Sequence, residues 1–131
     1  FDNTSEVDLS AADASNKLRR DILDNNSTAA YVATWKADNG TTKYIHISGS
    51  PTLNGKTYAQ FTKDEELVAA WNANSGKISD LTGVLKVGDL VLVKINDSRA
   101  GVNPYYLVAI NDVIITPAND LKDYVSFRYK N

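Results

Sequence analysis

The chain has 131 residues, of which 43% are hydrophobic and 23% are charged, and this composition is typical of a soluble globular domain. The formal net charge of −2, with both signs interspersed, provides no basic field for a phosphate backbone and argues against nucleic-acid binding. No apolar run approaches the roughly 20 residues needed to cross a bilayer, and the lack of cysteine excludes disulfides and thiolate chemistry.

The N-terminal part is predicted to hold a leader and a first helix. Residues 1–8 are polar and indicate a flexible leader ahead of a single globular domain at 9–131. Ser10 and Asp13 form a pattern similar to a capping box. Apolar residues then recur at helical spacing, namely Ala11, Ala14, Leu18 and Ile22. We therefore expect an amphipathic helix over residues 11–24.

The next segment predicts a hairpin around Asn39-Gly40, a pair that favours a type I′ turn because both residues tolerate a positive φ. With a two-residue loop, Trp35 lies opposite Tyr44. One predicted face is aromatic and carries Tyr31, Trp35, Tyr44 and His46. The other is expected to be core and carries Val32, Thr34, Ile45 and Ile47. The aromatic face is either covered by the first helix or exposed as a platform for a ligand.

A second helix is predicted after the turn-rich stretch at 49–55. Residues 62–65 read as a capping box, and the helix is expected to reach Asn74 and to stop at Gly76. Its expected buried stripe consists of Leu67, Ala70 and Trp71. The acidic residues of its first turn favour the positive end of the helix dipole, so we interpret them as structural.

Three dense apolar runs predict the last strands, at 88–95, 105–116 and 123–130. The first two are apolar at odd and even positions, which indicates central strands covered on both faces. Asn111-Asp112 interrupts the second run and suggests a bulge. In the last run the residues expected to point inward are Val125, Phe127 and Tyr129.

Taken in chain order, the elements are α-β-β-α-β-β-β. This order predicts an α+β fold with a mainly antiparallel, twisted sheet of about five or six strands, or a partial barrel, packed by two helices.

Several polar groups could carry chemistry, and each also has a structural interpretation. His46 is the single histidine and lies between Ile45 and Ile47, so we interpret it as a structural strand residue rather than a general base. Residues 38–40 and 96–98 offer oxygen ligands, but neither follows EF-hand spacing. The loop carboxylates that could form a glycosidase-like pair are Asp112, Asp120 and Asp123.

The C-terminal pattern VGDLVLVKI, YYLVAINDV and DYVSFRYK resembles small β-rich modules of exported lipoproteins of the Bacteroidetes type, over residues 78–130. The resemblance implies a surface or periplasmic location and an accessory or binding role. It carries no catalytic residue across. The lipid-bearing cysteine of such proteins would lie upstream of Phe1.

Nucleotide, metal and nucleophile motifs are all absent, so the sequence predicts no cofactor and no enzyme activity. We expect a non-catalytic, extracytoplasmic accessory or binding module whose partner is a carbohydrate or another surface protein. The predicted ligand-binding residues are Trp35, Tyr44, Tyr31 and His46. Two alternatives remain open at this point: a small hydrolase that uses Asp112 and Asp120, and an assembly subunit that exchanges a strand at its edge.

Overall fold

The computed structural model describes residues 20–25, 31–95, 103–116 and 122–131. The predicted leader and most of the predicted first helix lie outside these residues. The end of that helix is described and is not helical, because Leu23 and Asp24 form a short strand. Their backbone pairs with Lys36 and Trp35, and this pairing overrides the local helical spacing.

In chain order the elements are β1 (Leu23–Asp24), β2 (Trp35–Lys36), β3 (Lys43–Ile47), β4 (Thr52–Leu53), β5 (Lys56–Thr57), α1 (Asp64–Ala73), β6 (Leu90–Lys94), β7 (Tyr105–Ile114) and β8 (Tyr124–Lys130). Short 3-10 turns at Tyr58–Gln60 and Ser75–Lys77 flank the helix. The α+β class and the antiparallel pairing are as predicted. The described strands form three sheets and the described residues contain one α-helix, so a single sheet packed by two helices is not confirmed.

The central sheet has the order β3-β6-β7-β8, and every pair in it is antiparallel. Its middle strands are covered on both faces, as their continuous apolar runs predict. Val91 and Val93 of β6 and Leu107 and Val108 of β7 are all fully buried. The register of β7 against β8 shifts between Ile110 and Asp112, which confirms an irregularity at the predicted bulge.

Helix α1 covers one face of this sheet. Its buried residues are Leu67, Ala70 and Trp71, as predicted. They belong to a helix-side core with Ile45, Leu53, Phe61, Leu90, Leu92, Leu107 and Ala109. The helix begins where the Glu66 carboxylate accepts hydrogen bonds from the backbone N–H groups of Thr62 (2.8 Å) and Lys63 (3.3 Å).

A two-stranded ribbon, β1–β2, covers the opposite face. The ribbon-side core contains Ala33, Trp35, Tyr44, Leu85, Val91, Val93, Ile95, Tyr106, Val108 and Ile110. The Arg20 guanidinium, 3.0 Å from the Asp38 carboxylate, ties the segment before β1 to the end of the ribbon. The N–H of Asn25 donates to the carbonyl of Thr34 (2.8 Å) at the other end. Contacts at both ends of the ribbon therefore hold its two short strands together.

The predicted hairpin between β2 and β3 is wrong, because the extended segment 79–85 lies between these strands. On the ribbon side, the N–H of Thr82 donates to the carbonyl of Trp35 (3.0 Å). On the sheet side, the backbones of Ser79 and Tyr44 exchange two hydrogen bonds of 2.9 Å. We call segment 79–85 the bridging segment, because it connects the ribbon to the central sheet.

The turn at Asn39-Gly40 differs from the predicted type I′ geometry. Gly40 has a φ of +71°, but Asn54 is the one non-glycine residue with a positive φ in the described part of the chain. The Asn39 side chain instead accepts hydrogen bonds from the backbone N–H groups of Thr41 and Thr42, both at 2.9 Å. This wider loop separates the two strands. Val32, which we expected in the core, is 41% exposed.

The last strand, β8, is less buried than its alternation predicts. Val125 packs against the ribbon-side core, but Phe127 is 36% exposed and Tyr129 is 50% exposed. The reason is that the ribbon covers part of this face and reaches β8 through a contact between Trp35 and Phe127. A groove lies between two margins, the ribbon and β8.

Candidate functional site

The groove between the ribbon and β8 has a volume of about 490 Å³. This volume falls within the range of roughly 300–1,000 Å³ found for sites that bind small molecules. Its lining comes from both margins and consists of Ile22, Leu23, Asp24, Trp35, Asp123, Tyr124, Val125 and Phe127. Apolar and aromatic walls with a few polar groups are the usual composition of a ligand site.

Aromatic rings form a large part of the groove walls. Trp35 is 2% exposed, and its ring meets the Phe127 ring edge to face, with centroids 5.1 Å apart and an angle of 70° between the planes. The backbone N–H of Trp35 donates to the hydroxyl of Thr82 (2.9 Å), which fixes the strand that carries this ring. Tyr124 is 50% exposed. Phe127 and Tyr124 therefore supply the aromatic surface that a ligand can reach.

Two carboxylates, one on each margin, also line the groove. Oδ1 of Asp24 accepts a hydrogen bond from the Tyr31 hydroxyl (3.1 Å). Oδ1 of Asp123 accepts from the backbone N–H (2.6 Å) and from the hydroxyl (3.2 Å) of Thr116. No described residue donates to Oδ2 of either carboxylate. Each carboxylate is thus oriented through its Oδ1.

The pKa of Tyr31 reflects its partial burial and the negative charge of the two groove carboxylates. Partial burial, then the charge of Asp24 and the hydrogen bond to it, and finally the charge of Asp123 raise the pKa of Tyr31 to about 12. The hydroxyl is therefore protonated at neutral pH and acts as a donor rather than as a base. Among the described lining residues there is no lysine, arginine or histidine, so this part of the lining carries two negative charges.

The structure separates the four predicted ligand-binding residues. Trp35 lines the groove, and Tyr31 holds one of its carboxylates. Tyr44 is 0% exposed, and its hydroxyl donates to the backbone carbonyl of Asp21. Burial, followed by the nearby charge of Asp21, raises the pKa of Tyr44. Because Trp35 and Tyr44 are both buried, the structure does not support an exposed aromatic platform formed by this pair.

His46, the fourth predicted residue, pairs with Asp89 in the interior. Its Nε2 lies 2.8 Å from Oδ2 of Asp89, and the side chains are 9% and 2% exposed. Asp89 also accepts from the backbone N–H groups of Gly49 (3.1 Å) and Lys86 (2.9 Å). Burial acts to raise the pKa of Asp89, but the hydrogen bonds from His46, Gly49 and Lys86 hold it below its usual value. This arrangement fixes two loops, which is consistent with a structural role for His46.

The other carboxylates considered from the sequence do not meet at a site. Asp112 lies at the bulge of β7, and its Oδ1 accepts from the adjacent Val113 N–H (3.0 Å). Asp120 lies outside the described residues. Within the part of the chain that the structure describes, no group of three or more histidine, aspartate or glutamate side chains is placed to hold a metal ion. No helix in that part is both long and apolar enough to cross a membrane.

Sequence reasoning missed most of the groove. Asp24 and Tyr124 carried no predicted role, and Phe127 was expected in the core. Asp123 was noted as a loop carboxylate, but with Asp112 and Asp120 as its companions. The signal that was available is the alternation in β8, which places Val125 and Phe127 on the side that faces the ribbon.

Comparisons with family models, curated proteins and solved structures found no match to this chain. The resemblance to exported lipoprotein modules therefore stays a prediction.

Proposed function

We propose that this protein is a non-catalytic binding module and that the groove between the ribbon and β8 holds an extended segment of a protein partner. The observation that carries the proposal is the groove itself, which has aromatic walls, oriented carboxylates and a volume of about 490 Å³. Clefts with these features are the default place to look for a ligand site.

An extended peptide suits the groove because strands border it on both sides. Leu23 and Asp24 belong to β1, whereas Tyr124, Val125 and Phe127 belong to β8. Among the described strands, β1 pairs with β2 and β8 pairs with β7, so each is the last strand of its sheet. A peptide strand can add to such a margin through its backbone while its side chains enter the groove.

Tyr124 provides the test, because β8 contains a matched control. Tyr124 and Tyr129 are both 50% exposed, but Tyr124 lines the groove and Tyr129 does not. Short extended peptides would be titrated into the isotopically labelled protein, and their contacts would be mapped by NMR chemical shifts. We expect shifts in Leu23, Asp24 and residues 123–127. Tyr124→Ala should weaken binding by about tenfold or more, as at an aromatic contact point of an interface, whereas Tyr129→Ala should leave it unchanged.

Two results would overturn the proposal. The first is the absence of binding by any peptide of an extended-strand library to the folded protein. The second is specific binding of glycans at the groove in place of peptides, since aromatic surface beside carboxylates also suits sugars.

A hydrolase is the competing function, and the placement of Asp24 and Asp123 in one groove favours it. Against it, a neighbouring hydroxyl or N–H group already donates to each carboxylate, and the Tyr31 hydroxyl, whose pKa is raised to about 12, stays protonated at neutral pH and cannot serve as a general base. Turnover of glycoside or peptide substrates that Asp24→Asn and Asp123→Asn both abolish would establish catalysis and exclude a purely binding role.

We also propose an extracytoplasmic location, which rests on the resemblance of residues 78–130 to exported modules. Cell fractionation with the natural full-length protein tests it, and recovery in the cytoplasmic fraction would contradict it.

A further inference from the structure

We propose that the groove selects a basic segment, with one arginine or lysine side chain held between Asp24 and Asp123 and its stem against Phe127 and Tyr124. This inference rests on the proposed peptide-binding function and names the chemistry of the ligand. None of the described lining residues supplies a positive charge to these two carboxylates.

Charge complementarity is the first argument. The lining residues that the structure describes carry two negative charges and no positive charge. Lys36 pairs with Leu23 in the ribbon, and Lys122 precedes Asp123 in the chain. Neither lysine lines the groove. Some acidic groups elsewhere in the described chain are paired with cations, as Asp38 is with Arg20 and Glu66 is with Lys56. The groove carboxylates differ, because hydroxyl and N–H groups orient them without neutralising their charge.

The hydrogen-bonding capacity of the carboxylates is the second argument. Tyr31 and Thr116 occupy Oδ1 of Asp24 and of Asp123, and Oδ2 of each is available to a ligand. A guanidinium group presents several N–H donors in a planar fork, and an ammonium group presents three donors. A neutral hydroxyl group could donate one hydrogen bond but would leave both charges uncompensated. An acidic ligand would be repelled.

The exposed aromatic surface is the third argument. Phe127 is 36% exposed and Tyr124 is 50% exposed, and both border the same groove as the carboxylates. Cations bind favourably over such rings, and the apolar stems of arginine and lysine pack against them. The fold already uses this contact on its other face, where the Lys130 ammonium lies 4.2 Å from the Tyr58 ring centroid.

The peptide experiment uses one extended sequence with a single variable position. An acetylated and amidated peptide of sequence TVRVT would be compared with versions that carry lysine, citrulline or glutamate at the centre. Citrulline is the neutral counterpart of arginine, so it isolates the effect of charge. We expect the arginine and lysine peptides to bind at least tenfold more tightly than the citrulline peptide. The glutamate peptide should show no binding, and the affinity for arginine should fall as salt is raised.

The protein variants test the same point from the other side. Asp24→Asn and Asp123→Asn keep an Oδ1 acceptor for Tyr31 and Thr116 but remove the charge. Each should reduce binding of the arginine peptide by about tenfold and leave binding of the citrulline peptide unchanged. Asp112→Asn is the matched control, since this carboxylate lies outside the groove, and it should change neither affinity. Circular dichroism and thermal melting would verify that each variant is folded.

The outcomes separate this inference from the proposed function. Equal binding of the arginine and citrulline peptides at the groove would overturn the charge selection and leave the peptide site intact. Retention of the arginine preference in both carboxylate variants would also overturn it. If none of the four peptides and no member of the wider library bound, the proposed function itself would be wrong.

Discussion

The two faces of the central sheet combine aromatic and charged side chains in different ways. On the helix face, Lys130 donates to the carbonyls of Tyr58 (2.9 Å) and Phe61 (3.0 Å) and covers the Tyr58 ring, while Arg128 lies 4.8 Å from the same ring. Both cations therefore contact groups of the same chain. On the ribbon face, Asp24 and Asp123 line the same groove as Phe127 and Tyr124, and the described donors reach only one oxygen of each carboxylate.

This difference indicates how the role of a charged side chain can be inferred from its contacts. A charged group whose hydrogen bonds and ring contacts lie within the chain contributes to the stability of the fold. A charged group that is oriented but not neutralised provides a position for an external partner. The helix face is therefore expected to respond to substitution by unfolding more easily, and the groove is expected to respond by losing its ligand.

The largest expected effect tests whether both faces are equally packed. Trp35 is 2% exposed in the ribbon-side core, and Trp71 is 6% exposed in the helix-side core. Replacing either buried ring by alanine should lower the free energy of unfolding by about 3–5 kcal/mol. Urea denaturation followed by circular dichroism measures the loss. A loss below about 1 kcal/mol for Trp35→Ala alone would show that the ribbon does not pack on the sheet as described.

The next effect concerns Asp89, which fixes the loops at the edge of the ribbon side. Asp89→Ala leaves His46 and the N–H groups of Gly49 and Lys86 without their acceptor, and should cost about 3 kcal/mol. Because the pKa of Asp89 is lowered in the folded state, its contribution is present above the unfolded pKa of about 3.9 and is lost as the pH falls through the folded value.

Thermal melting as a function of pH checks this sign. The wild-type protein should lose stability more steeply than Asp89→Asn as the pH is lowered from about 5 toward 2. Parallel curves for the two proteins would show that the charge of Asp89 contributes nothing to folding.

The smallest effect concerns the cation on the helix face. Lys130→Met removes two hydrogen bonds to carbonyl groups and a contact with the Tyr58 ring, and should cost about 1–2 kcal/mol. Lys86 is exposed, and Lys86→Met should change stability by less than about 0.5 kcal/mol. Urea titrations would measure both variants. If Lys130→Met were as stable as Lys86→Met and the wild type, Lys130 would not stabilise the helix face as proposed.

The parts of the fold that could be predicted depend on neighbours in sequence. The spacing of Leu67, Ala70 and Trp71 defined the buried side of α1, and the continuous apolar runs identified β6 and β7 as doubly covered strands. Both patterns follow from backbone periodicity, which tertiary contacts preserve here.

The choice of strand partners could not be predicted in the same way. The Asn39-Gly40 pair indicated a hairpin, but β3 takes β6 as its neighbour, and its other edge contacts Ser79. The groove joins residues about 100 positions apart, so no local pattern could locate it. Of the predicted ligand-binding residues, Trp35 lines the groove and Tyr31 supports it, because they lie in or beside the ribbon.

The bridging segment has a consequence for the order of folding. The ribbon reaches the central sheet through a segment that follows it by about 50 residues in the chain, so its docking requires the closure of a long loop. Contacts of this kind are expected to form late. The ribbon wall of the groove should accordingly be among the first regions to open in the native state, and amide hydrogens of residues 23–25 and 31–36 should exchange faster than those of β6 and β7. A ligand that contacts both margins would hold the ribbon against the sheet. It would therefore slow hydrogen exchange in the ribbon without altering the exchange of the central strands.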